Sequence, residues 1–130
     1  MLRYMFRYKF SIILAILIAM LSLVPSSSMP DSTLFSIKFL DKLVHFSMYG
    51  FFGFVALLES RCWEKCIGFH VILTATIFIL SAIIEVLQAT VVATRSAEWF
   101  DLLANLTGLI AGYFTFRLLR NLRIFRSVKS

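Results

Sequence analysis

Charge is scarce in this chain. Only 15% of its 130 residues are charged and 60% are hydrophobic, with a mean hydropathy of +0.89. So little polar surface cannot cover a water-soluble fold of this size, and a soluble domain is excluded. Cysteine is nearly absent: Cys62 and Cys66 stand alone, which points to free thiols in a reducing cytoplasm and, without a second ligand pair, argues against a zinc site. No HExxH motif, internal repeat, low-complexity tract or soluble module is present, so no metal and no cofactor is assigned. No serine or cysteine nucleophile has a definable base. The basic tail lacks a recognition module, so nucleic acid is not an expected partner.

What the chain does contain is apolar sequence in blocks. Four runs, at about 10–24, 42–58, 66–92 and 100–119, approach the roughly 20 residues that a helical span needs. The expected architecture is therefore a single all-α domain over residues 1–130, an integral membrane four-helix bundle. The first run follows Arg3, Arg7 and Lys9 and stops at Pro25-Ser-Ser-Ser-Met-Pro30, a pattern shared with signal peptides. With no A-x-A site before the serines, it reads as an uncleaved first helix. Glu59 to Lys65 reads as a short charged turn. Ten of the thirteen lysines and arginines fall on one side if the N-terminus lies inside, leaving Lys38, Lys42 and Arg95 outside. The positive-inside rule then places both termini in the cytoplasm. The net charge of +6 becomes largely a topology signal and an attraction to anionic membrane lipids.

The polar residues inside these runs are few and patterned. Asp41, His45, Tyr49 and Gly53 share one helix face; Thr74, Ser81, Glu85 and Gln88 share another; Asp101, Asn105, Gly108 and Gly112 share a third. Glu85 lies roughly 10 Å below an outer helix end at Val92, and His45 and Asn105 about 5–8 Å below theirs. All three stripes are thus expected in one layer of the outer leaflet. Carboxylates turned toward lipid there would cost about 2.5–3.5 kcal/mol each, whereas turned inward they can pair with Lys42, His45 and Arg95. Ala104, Gly108 and Gly112 form a small-xxx-small repeat for close helix packing, with Gly50 and Gly53 as counterparts on the second run. His70 receives no role.

Asp41-Lys42-x-x-His45 with Tyr49, Glu85-x-x-Gln88, Arg95 and Asp101-x-x-x-Asn105-x-x-Gly108-x-x-x-Gly112, in this order on successive runs, resemble the VanZ-like family. The resemblance covers about Asp41 to Gly112. It implies a polytopic protein of the bacterial cytoplasmic membrane and cell envelope, in a family whose named member is associated with low-level teicoplanin resistance. The functional expectation is a ligand site formed by Asp41, Lys42, His45, Glu85, Gln88, Arg95, Asp101 and Asn105. Lys42 and Arg95 would supply charge-assisted donors to the anionic headgroup of an envelope lipid or cell-wall precursor. Two alternatives stand beside it. In one, His45 and the carboxylates of Asp41, Glu85 and Asp101 act as an acid/base pair in a hydrolase or transferase, or hold an amine, proton or metal. In the other, the layer only fixes helix packing, or the chain is a scaffold recognised through lipid-facing residues such as Phe51 and Phe54. No feature fixes an oligomeric state.

Overall fold

The computed structural model describes residues 1–23, 38–60, 67–91 and 99–122, without the side chains of Tyr4, Lys38 and Phe39. All regular structure among them is helical: α1 (Leu2–Arg7), α2 (Lys9–Ser22), α3 (Lys38–Ser60), α4 (Ile67–Val91) and α5 (Trp99–Asn121). Three of these helices, α3 from Leu40, α4 and α5, are long and apolar enough to cross a membrane. The first expected span is different. Tyr8, at φ −102° and ψ 28°, interrupts the helix and leaves α2 with 14 residues, about 21 Å of rise against a hydrocarbon core of about 30 Å.

That interruption leaves α2 with orphan N–H groups at its start, because a tyrosine side chain cannot cap them. They are met from elsewhere in the chain. The Glu59 carboxylate accepts from the Phe10 N–H at 3.0 Å, the Ser11 N–H at 2.9 Å and the Ser11 hydroxyl at 2.6 Å. An anion at a helix N-terminus also complements the helix dipole. Arg7 completes the junction by donating to the carbonyls of Glu59, at 3.2 Å, and Ser60. Glu59 is therefore the last turn of α3 and not part of a charged turn. The short separation in space of residues 48 apart in sequence could not be read from spacing.

The closest helix pair is α3 with α5, and glycine is the reason. A β-carbon at Gly108 would collide with the Phe46 carbonyl oxygen and stand 3.1 Å from the Gly50 nitrogen; one at Gly112 would collide with the Gly50 carbonyl oxygen and stand 3.3 Å from the Phe54 nitrogen. Positions on both helices advance together along this contact, so α3 and α5 run parallel. At Gly53 the neighbour is the flexible end of Leu109, 2.9 Å from a notional β-carbon, so this glycine is less tightly constrained. Ala104 is half-buried on the same helix.

Contacts at the helix ends fix the remaining directions. His45 meets Glu85, so the start of α3 lies beside the end of α4. The Gln88 amide donates to the Ser22 carbonyl at 2.6 Å, bringing the end of α2 to the same place. One end of the molecule thus gathers the starts of α3 and α5 and the ends of α2 and α4. Its apolar core, Ile18, Tyr49, Phe52, Ala56, Ile77 and Leu109, lies between the helices. Outside, Phe51, Ile72, Val86 and Leu118 are exposed while His45, Glu85, Asp101 and Asn105 are buried. This arrangement, polar within and apolar without, suits lipid as solvent.

Candidate functional site

Both α3 and α5 carry an aspartate in their first turn, Asp41 and Asp101, where a carboxylate complements the dipole. One turn further on the same faces stand His45 and Asn105. Parallel packing through the glycines therefore sets Asp41 and His45 opposite Asp101 and Asn105. The parallel register, not any local motif, creates the cluster.

His45 is its centre. Its Nδ1 lies 3.0 Å from Asn105 Oδ1 and 3.7 Å from Glu85 Oε1. In the tautomer that carries its hydrogen on Nδ1, the ring donates to these oxygens. Asp41, His45 and Asp101 each offer one ligand atom, all within 4.8 Å of one another. Lys42 Nζ stands 3.4 Å from Asp101 Oδ1 and 5.8 Å from the centre of the Phe100 ring. The Lys42 side chain remains 25% exposed, so its charge sits at the edge of the cluster. Asn105 is wholly buried, and its Nδ2 has no hydrogen-bond acceptor.

The structure thus brings together Asp41, Lys42, His45, Glu85, Asp101 and Asn105. Gln88 is buried at the same end but is engaged with the α2 backbone, which makes it a tie between helices. Arg95, Cys62 and Cys66 lie outside the described residues. Tyr49 belongs to the apolar core, and Ser81 donates to the Phe78 carbonyl of its own helix at 2.8 Å. The small-residue positions Gly53, Gly108 and Gly112 are buried.

His70 lies at the other end, nine-tenths buried or more, with its ring edge-on to Phe116 at 5.4 Å. Beside it an open groove of about 460 Å³ runs between α4 and α5, lined by residues including Thr74, Phe78, Leu106 and Ile110. Its lining is nearly all apolar and shares no residue with the polar cluster. The pairing of Glu59 with α2 and the acceptor role of Ser22 escaped sequence reasoning. A lone glutamate at the end of an apolar run was the available signal for the first, and a backbone carbonyl gives none.

Three membrane-length apolar helices with ionisable groups turned inward define a helical membrane protein. A family model described as VanZ/LLP1 matches residues 1–120, and the chain belongs to this VanZ-like family, as a membrane protein of the cell envelope. Neither a curated protein nor a solved structure shows significant similarity to it.

Proposed function

We propose that this protein crosses the cytoplasmic membrane as a four-helix bundle with both termini in the cytoplasm, and that its polar cluster binds an anionic headgroup in the outer leaflet. The headgroup belongs to an envelope lipid or a cell-wall precursor and is reached sideways from the bilayer. Occupancy by a precursor would connect the site to glycopeptide resistance, the role attached to the family's named member. In this reading α2 completes the bundle. Its shortness is met by local thinning and by Arg3 and Lys9 reaching for the interface.

One observation carries the reading. Lys42 is a partly exposed cation at the rim of an otherwise buried cluster of His45, Asp101, Glu85 and Asn105, on helices that are apolar outside. Its ammonium can exchange Asp101 for a ligand oxygen without leaving its place. By sequence, Arg95, four residues before the start of α5, is near enough in the chain to supply a second cation, and a guanidinium binds phosphate or carboxylate with two parallel hydrogen bonds.

Native mass spectrometry of protein extracted in mild detergent from membranes rich in phosphatidylglycerol tests the proposal. Wild type is expected to retain an anionic lipid that Lys42→Ala and Arg95→Ala lose, with unchanged elution on size exclusion. A bare wild-type monomer, or equal retention by both variants, would refute it. Single cysteines placed at residues 2 and 128 test the orientation. Labelling of either by an impermeant maleimide in intact cells would overturn it.

A further inference from the structure

From the cluster of Asp41, His45 and Asp101 we infer a binding site for a divalent first-row transition ion, of which Mn²⁺ is the best match. Three potential ligand atoms from three residues lie within 4.8 Å of one another, with His45 and Asp101 buried and Asp41 half-buried. Metal–ligand bonds of about 2.1 Å hold ligand atoms about 3–4 Å apart, so closing on an ion takes side-chain rotation and no movement of the helices. Two carboxylates and one imidazole favour an ion that accepts both oxygen and nitrogen. Three protein ligands leave coordination positions open.

One further feature supports an ion here, the Asn105 amide. Its Nδ2 is fully buried and lacks an acceptor, although its Oδ1 holds His45 Nδ1 at 3.0 Å. Asp101 and Asn105 are one turn apart on one face of α5, so this amide borders the cluster. An oxygen ligand completing the ion's shell supplies the acceptor that the protein does not. The contact between His45 Nδ1 and Asn105 meanwhile fixes the ring as a second-shell partner does around metals.

The spacing D-x-x-x-H is too sparse to announce a metal site. Helix α5 supplies the missing ligand, Asp101, and only the parallel packing of α3 and α5 puts it in place. The site rests on this cluster and not on the headgroup reading. An ion drawing on Asp101 would nevertheless release Lys42 for an anion.

The test uses the full chain in detergent, stripped with EDTA and titrated with Mn²⁺ alone, an ion with little affinity for the thiols of Cys62 and Cys66. Calorimetry is expected to show one ion per chain. His45→Gln and Asp101→Asn should weaken binding more than about tenfold, and Asn105→Leu, which leaves all three ligands, about 10- to 100-fold. Pulsed electron paramagnetic resonance of the loaded wild type should show coupling to the nitrogen of one imidazole, kept in His70→Ala and lost in His45→Gln. Coupling kept in His70→Ala assigns it to His45, the other histidine of the chain, even if His45→Gln misfolds. No saturable binding, no imidazole coupling, or a coupling abolished by His70→Ala and kept in His45→Gln would overturn the site. Lipid retention in the same EDTA-stripped protein reports separately on the headgroup proposal.

Discussion

Alanine at Gly108 is the sharpest perturbation of the fold that positions this site. The added β-carbon meets backbone, 3.0 Å from the Phe46 carbonyl carbon and 3.1 Å from the Gly50 nitrogen, with the Phe46 carbonyl oxygen closer still. Backbone inside a helix cannot rotate out of the way, so α3 and α5 must separate. Separation also loosens the neighbouring approach of Gly112 to Gly50 and Phe54. Overpacking of this kind costs about 1–3 kcal/mol, while alanine recovers up to about 1 kcal/mol of helix propensity. Because two contacts loosen together, we expect a net loss of about 2 kcal/mol, and a similar loss for Gly112→Ala.

Two controls calibrate the argument. Nothing lies within 4 Å of a β-carbon at Gly68, so Gly68→Ala should leave stability unchanged or slightly raised. Gly53→Ala meets only the mobile end of Leu109 and should cost under about 1 kcal/mol. The assay is unfolding of the detergent-solubilised chain by sodium dodecyl sulfate, followed by far-ultraviolet circular dichroism. If Gly108→Ala proved as stable as Gly68→Ala, close glycine packing would not be what holds α3 against α5.

Glu59→Ala removes the acceptor for two backbone N–H groups and a hydroxyl, and is expected to lower stability by about 1–2 kcal/mol. Faster hydrogen exchange at Phe10 and Ser11 would localise the loss, and unaltered exchange there would contradict it. Gln88→Leu breaks the tie to the Ser22 carbonyl and should cost about 0.6–1.7 kcal/mol in the same unfolding assay; a neutral result would show that this bond does not hold α2. Lys42→Met should change stability by less than about 1 kcal/mol, because the ion pair with Asp101 is partly solvated. A larger drop would assign Lys42 to the fold and weaken its role in ligand binding.

How much of this was legible differs from residue to residue. The faces bearing Asp41 and His45, Glu85 and Gln88, and Asp101 and Asn105 followed from helical spacing, since burying a charge away from lipid leaves few choices. The close approach of Gly108 and Gly112 likewise follows from their lack of side chains. The first apolar run, at about 10–24, coincides closely with α2, Lys9–Ser22, while the break at Tyr8 that sets α1 apart from it leaves no mark in hydropathy. Glu59 looked like a loop charge, because its partners are the N–H groups of a distant helix end, invisible in any side-chain pattern.

By itself the sequence determined the solvent, the helices and the faces that carry the polar residues, because hydropathy and helical periodicity are local properties. Only tertiary structure decided that α3 and α5 run parallel in close contact, that Gln88 ties α4 to α2, and that Asn105 holds His45. Those outcomes depend on which surfaces fit at atomic distance. Complementarity between two surfaces is not written in either one alone.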